Sequence, residues 1–347
     1  MAATSTTTSS RPVTPAGSVA CCDNGSCHCG GGRPVNLVIG LDVGGTSSRA
    51  LVADLAGRRV GVGMGGGGNP LSRGVEPAVR AIRSALEQAL VGVDPNAVAG
   101  NVIGAAGFGS RSPAHGALGE MWSDLGLPGS PVIGGDAEVA FASGTADLDG
   151  SVLISGTGAV ASHFVDGMEV GVADGLGWLL GDHGSGFWIG REAVRHCLGL
   201  AYAPDGVLAP AVAQALLGRP DATRSDLIAA TYSAAPVRVS ELARAVVTAQ
   251  EAGSVAAASI LTAAADKLVE TLALVRAPGA QTVVVLAGGM LQTAHLRAGV
   301  RGRVAARWPG SVIARSGSGA AGAAWLALRR LGVDLPLSQH ATLTAAP

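Results

Sequence analysis

An α/β fold made of two similar halves is predicted by three features of the 347-residue sequence. Short apolar runs that stop at glycine alternate with stretches of helical period, as strands and helices in mixed order should. A strand, a glycine–threonine turn and a returning strand occur twice, around Thr46 and around Thr157. Such a duplication points to two like domains facing one another. The length is ample for two cores of ordinary size.

The elements follow in order. Residues 1–33 are rich in Ser, Thr, Ala and Gly and lack periodicity, so they are expected to form a disordered tail. Order is expected from Pro34, with a first domain over 34–148. There Val35–Leu41 reads as a buried strand ending at Asp42. Gly44-Gly45-Thr46 turns the chain, Ser48–Asp54 returns, and Gly57 leads into a third strand, Arg58–Met64. Val75, Val79, Ile82, Leu86 and Leu90 follow helical spacing. Val102–Ala106 reads as a strand, Pro113–Asp124 as a helix, and Val132-Ile133 as a short strand before a helix that starts at Asp136. A second domain is expected over 149–335. It opens with strands Ser151–Ser155 and Val160–Val165 around Gly156-Thr157-Gly158. It is mainly helical from Gly186 to about Pro278. Strand Thr282–Ala287, the turn Gly288-Gly289, helix Leu291–Trp308 and a last helix Ser318–Leu331 follow. Residues 336–347 are expected as a C-terminal tail.

Composition excludes several classes of function. With 24 basic and 25 acidic residues the net charge is −1, which gives no field for steering onto nucleic acid or an anionic membrane. Charged residues are only 14% of the chain, and 53 residues are glycine. The longest uncharged window, Ala277–Leu296, is interrupted by Pro278, Gln281 and Thr282, and its apolar heart suits a buried strand. No membrane span is predicted. The first residues carry Arg11 and no apolar run, so no signal peptide is read. Four of the five cysteines, Cys21, Cys22, Cys27 and Cys29, crowd the tail, and Cys197 stands alone in the body. That is not a disulfide framework, and the tail cluster is read as part of the disordered segment rather than as a soft-metal site.

Five motifs carry chemistry. Asp42-Val43-Gly44-Gly45-Thr46 places a carboxylate at a strand end, then bare backbone N–H groups and a hydroxyl. Those donors can hold phosphate oxygens, and Asp42 can hold Mg²⁺ directly or through water. It is not a P-loop, because the Lys of G-x-x-x-x-G-K-[ST] is missing. Ser155-Gly156-Thr157-Gly158 offers the same donors a second time, and the matched pair is what lifts either turn above an ordinary glycine hairpin. Asp136, in Gly134-Gly135-Asp136, reads either as a helix cap or as a base for a substrate hydroxyl. Gly175-Leu176-Gly177 through Gly181-Asp182-His183-Gly184-Ser185-Gly186 is a loop suited to a polar ligand, with Asp182 able to accept hydroxyl hydrogen bonds. Gly288-Gly289, after a buried strand, can admit a purine or an α-phosphate.

In this order, D-x-G-G-T, G-D-A, S-G-T-G and G-D-x-G-S-G-x-W-I-G resemble the sugar kinases of the actin-like ATPase superfamily. The nearest resemblance is to N-acetylglucosamine kinases within the BadF/BadG/BcrA/BcrD ATPase family, over about Asn36–Leu331. The resemblance implies two ribonuclease H-like domains with a cleft between them, binding ATP and Mg²⁺. Gly44, Gly45 and Thr46 would form the first phosphate motif and Gly156, Thr157 and Gly158 the second. Gly288 and Gly289 would border adenosine, and Asp42 would serve the metal. Asp136 would take the proton from the sugar 6-hydroxyl. Asn69, Gly175, Gly177 and Asp182 would contact the amino sugar. The product expected is N-acetylglucosamine 6-phosphate. Leu176 stands where the family often has tryptophan, His183 where glutamate is common, and Ala159 where serine often stands, which brings in glucosamine as an alternative substrate. A homodimer and a cytoplasmic location are family expectations. A rival reading, an activator ATPase of a radical dehydratase or acyl-CoA reductase, would use body cysteines for an iron–sulfur cluster, and the body has only Cys197.

Overall fold

The computed structural model describes residues 36–105, 107–108, 112–199 and 206–345. The stretch 1–33, with its four cysteines and its expected disorder, lies outside the described residues. Two five-stranded sheets dominate. In the first, β1 (Leu37–Val43), β2 (Ser47–Asp54) and β3 (Arg59–Gly66) form an antiparallel meander. Strands β4 (Val98–Ala105) and β5 (Ile133–Gly134) extend it in parallel beyond β1, giving the order β3-β2-β1-β4-β5. In the second, β6 (Gly150–Ser155), β7 (Ala159–Val165) and β8 (Met168–Asp174) repeat the meander. Strands β9 (Val283–Ala287) and β10 (Ile313–Arg315) repeat the parallel extension, giving β8-β7-β6-β9-β10. The two sheets therefore share one topology, and the duplication around Thr46 and Thr157 extends to ten strands.

The connections set which faces are covered. Between β3 and β5 run the short α1 (Pro70–Arg73), α2 (Val75–Ala89) and α3 (Pro113–Asp124). Between β8 and β9 run α5 (Gly186–Cys197), α6 (Leu208–Leu217), α7 (Arg224–Ser233), α8 (Pro236–Glu251) and α9 (Val255–Val275), and α10 (Ala294–Arg307) precedes β10. Strand β3 alternates by design of its sequence. Gly61, Gly63 and Gly65 face α2, where any Cβ would overlap the backbone of Ala89, Ala85 and Ala81. Val60, Val62 and Met64 take the other face and are exposed. Small residues on both elements let strand and helix approach at backbone distance. The window Ala277–Leu296 becomes a turn, β9 and the start of α10. Among the described residues, no helix is long and apolar enough to cross a membrane.

Three findings differ from the sequence reading. Strands β8 and β10 were not anticipated. Both are sheet edges, and β8 keeps Met168, Val170 and Val172 exposed, so it shows no buried apolar run. The last helix, α11 (Gly319–Arg330), expected with the second half, packs on the first sheet instead. Its Ala320, Ala321, Ala324 and Leu328 share a core with Val38, Leu51 and Val102. The segment 336–347, expected as a tail, carries α12 (Leu337–Thr344). Its Leu343 joins that same core, His340 Nε2–H donates to the Ala142 carbonyl at 2.7 Å, and Arg59 donates to the Leu343 carbonyl.

Helix α4 (Asp136–Gly144) completes the packing between the sheets. Val139 and Ala142 belong to the core around α11, whereas Ala137 and Phe141 join Val152, Val283 and Val285 of the second sheet. The Phe141 and Phe164 rings stack at 4.7 Å. One nine-residue helix thus touches both sheets, and its first residue is Asp136.

Candidate active site

The two glycine–threonine turns occupy equivalent places, each at the C-terminal end of the central strand of its sheet. In the first, the Gly44 amide donates to the Ser47 carbonyl at 2.9 Å and closes the hairpin. The amides of Gly45 and Thr46 have no protein acceptor among the described residues, Thr46 is exposed, and Gly45 borders open space. In the second, the Gly156 amide donates to the Gly158 carbonyl at 2.9 Å, the amides of Thr157 and Gly158 are left over, and Thr157 is exposed. Successive unpaired N–H groups of this kind form a concavity for anions.

The second turn is fixed from behind. The Gly186 and Phe187 amides, at the start of α5, donate to the carbonyls of Gly156 and Thr157. Ser185 caps that helix through Oγ, which accepts from Trp188 N–H at 3.1 Å. Gly288, at φ +90, lies so close to Ser155 that a Cβ would overlap its backbone, and Gly289 borders open space. The Gly288-Gly289 turn therefore sits beside the second turn, as the parallel pairing of β6 with β9 requires.

Around the first turn gather Asp42, Asn69 and Asp136. The Gly68 amide donates to the Gly44 carbonyl at 3.0 Å, which brings the 65–68 glycine run across the hairpin and delivers Asn69 beside it. Asn69 caps α1, its Oδ1 accepting from Leu71 N–H at 2.9 Å. Asp136 opens α4, is exposed, and accepts from Ala137 N–H through Oδ1 at 2.9 Å. Asp42 lies 3.8 Å from Arg49 Nη1. Burial pushes the Asp42 carboxyl above the usual carboxylate range, Arg49 opposes that shift, and the negative charge of Asp136 adds to it. Gly319, the first residue of α11, presses on Asp42 where a Cβ would overlap the carboxylate. A carboxylate with no hydrogen-bond donor among the described residues, at the mouth of an anion-binding turn, fits a hard cation that also takes phosphate oxygens and water. No cluster of three or more metal-ligating side chains occurs among the described residues, so any such ion would rest on Asp42 and its substrate.

Asp182 belongs to the second group. Its Oδ1 accepts from Ala159 N–H at 3.0 Å and its carboxylate lies against Gly158. Burial raises its carboxyl above the usual range, the Ala159 amide opposes this, and Asp174 adds to it. Gly175 donates to the Ala159 carbonyl at 2.9 Å, while the Gly177 carbonyl accepts from Gly181 at 2.8 Å and turns the loop. The site residues thus fall into two sets, Asp42, Gly44, Gly45, Thr46, Asn69 and Asp136 on one sheet, and the remainder on the other. No hydrogen bond among the described residues joins Asp182 to Asn69 or Asp136. Asp174 was missed by sequence reasoning, although it holds the Asp182 loop through two backbone bonds. Its only signal was an Asp-Gly pair at the end of an unrecognised strand.

The chain is similar to several known proteins. An N-acetylmuramic acid/N-acetylglucosamine kinase of Clostridium acetobutylicum is 28% identical over 47% of this chain and 54% of its own length. A glucosamine kinase of Vibrio cholerae is 28% identical over 50% of this chain and 57% of its own. The chain thus spans little more than half the length of these curated relatives. A crystal structure of an inferred N-acetylglucosamine kinase from Chromobacterium violaceum superposes with a TM-score of 0.68 at 24% identity, covering 84% of this chain and 99% of that one. This likeness carries the fold, two like α/β sheets of the actin-like ATPase kind. The BadF/BadG/BcrA/BcrD ATPase family model matches residues 39–327, both glycine–threonine turns and the Gly288-Gly289 turn included, and the chain belongs to that family.

Proposed function

We propose that the protein is an ATP-dependent kinase of an amino sugar, with N-acetylglucosamine as substrate and its 6-hydroxyl as the acceptor. The observation that carries this reading is the pair of equivalent turns with unpaired amides, one beside Asp42 and Asp136 and the other beside Asp182 and Gly288. Two such turns suit the phosphates of one nucleotide held between the sheets. The named relatives, kinases of amino sugars, support the class of acceptor.

In this reading Gly44, Gly45 and Thr46 bind the terminal phosphates from one side and Gly156, Thr157 and Gly158 from the other, with Gly288 and Gly289 beside the adenosine. Asn69, Gly175, Gly177 and Asp182 orient the sugar, Asp182 with the carboxylate oxygen that Ala159 does not use. Asp136 accepts the proton of the 6-hydroxyl as that oxygen bonds to the γ-phosphorus, and the bond from phosphorus to the β,γ-bridging oxygen breaks to release ADP. Asp42 would hold Mg²⁺, which when bound neutralises phosphate charge. Catalysis is then mostly positioning and charge stabilisation.

Release of ADP, followed by a coupled assay across N-acetylglucosamine, glucosamine, N-acetylmannosamine and glucose, tests the reading. Glucosamine is the second candidate, because Leu176 is 64% exposed and supplies no aromatic wall at the position where the resemblance leads one to expect tryptophan. Asp136→Asn, shown to be folded, should lower kcat by about 10²–10⁴-fold. Near-normal turnover in that variant would remove Asp136 as the base.

A further inference from the structure

Among the described residues only Asp166, Asp174 and Asp182 combine a side chain with a positive φ. Asp166 sits in the tight turn between β7 and β8, where an Asp-Gly pair is ordinary. The other two, at φ +65 and φ +58, lie at the two ends of one loop. Backbone held in that region persists only where its surroundings enforce it, and such positions gather at working sites.

The enforcing contact is the Asp174 side chain, which is only 6% exposed. Its Oδ1 accepts from Asp182 N–H at 2.6 Å and its Oδ2 from His183 N–H at 2.8 Å. The His183 ring lies 3.2 Å from the same Oδ2 through Nδ1. One carboxylate therefore receives two consecutive backbone amides from across the loop. Gly181 has no room for a methyl group, because a Cβ there would overlap Asp174 Oδ1. The result is a closed loop whose far end, Asp182, is turned so that its carboxylate reaches Ala159 N–H and the second glycine–threonine turn.

We infer that Asp174 is a positioning residue that sets the direction of the Asp182 carboxylate, and through it the grip on the acceptor sugar. This rests on the kinase reading above. Asp174 itself touches neither substrate. Its bonds are to the Asp182 and His183 amides and to the His183 ring, and a shift of about 1 Å in the group it aims can weaken a site by 10²-fold.

Asp174→Gly separates the two roles of the residue, since glycine accepts a positive φ freely but offers no acceptor. The full-length variant should keep its Tm within a few degrees while the sugar KM rises about tenfold or more, with kcat within about threefold. Asp174→Asn, which keeps one acceptor, should fall between. A merely structural role would instead lower the active fraction, and so kcat, at unchanged KM. Amide hydrogen exchange across 176–184 supplies a readout that needs no substrate. Exchange at Asp182 and His183 should be protected in the wild type and faster in Asp174→Gly and in Gly181→Ala. Unchanged exchange, or a wild-type sugar KM in Asp174→Gly, would overturn the inference. A wild-type protein that turns over no sugar would overturn the kinase reading, and the exchange result would still decide for or against Asp174 as the residue that closes this loop.

Discussion

Asp42 is a carboxylate held where charge is disfavoured, with Asp136 adding to the penalty and Arg49 relieving part of it. Its native proton is bound more tightly than in the unfolded chain. As pH rises from the ordinary value near 3.8 toward the raised native value, the unfolded chain ionises first and the folded state loses stability. Above that window the penalty is constant. Asp42→Asn should therefore raise Tm at pH 7 by about 1–3 °C, and leave it unchanged at pH 3, while turnover with ATP is lost. A scan of Tm against pH, with the assay at pH 7, checks both halves. Asp182 shares the direction of shift, but it also holds the Ala159 amide, so its removal leaves a buried donor unpaired and gives no such gain.

Among the elements, β3 and α12 owe their places to different physics. β3 approaches α2 at backbone distance through glycines at every second position, and the Gln88 side chain of α2 adds two hydrogen bonds to the Met64 backbone. Gly63→Ala should force the two apart and cost about 1–3 kcal/mol, read as a lower Tm. Replacing exposed Val62 on the opposite face should change little. α12 is docked through a buried histidine. Burial pushes His340 below its usual value, while the Ala142 carbonyl and Asp147 pull the other way. Because the unfolded chain takes up the proton first, stability falls as pH drops through about 6.5 toward the lower native value. Protection factors over Leu337–Thr344, in which the slower intrinsic exchange at low pH is divided out, should fall from pH 7.5 to pH 5.5. In His340→Gln, which can still donate to the Ala142 carbonyl, that dependence should flatten. If it does not, another group controls the docking.

For the whole molecule, α11 is the decisive element. It comes from the end of the chain and covers the first sheet, so the two halves do not fold as consecutive pieces. A chain stopped at Ser318 would bare Val38, Leu51 and Val102 to water. It should lose cooperative thermal unfolding and bind a hydrophobic dye. Native-like unfolding of that chain would show that α11 is dispensable to the first core. α4 contributes from the other side, touching both sheets and opening with Asp136, so motion between the sheets would be felt at the residue proposed as the base.

The duplicated turns, the strands around them and most helix limits were legible in the sequence, because each is written in a few adjacent residues. Glycine, threonine and an apolar alternation decide a hairpin locally, and helix α3 falls on Pro113–Asp124 as its pattern predicts. The candidate site residues were read from the order of their motifs. The partner of α11 was not legible, since a helix of Ala and Gly is small on every side and its periodicity names no neighbour. Asp174 was equally silent, because its role is two bonds to backbone eight and nine residues away, which exist only once the loop has closed. Local steric preference and hydrophobic period thus determined the elements of this protein. Close packing and long-range hydrogen bonds, which form only between surfaces already folded, decided which elements meet and how the two carboxylates beside the turns are held.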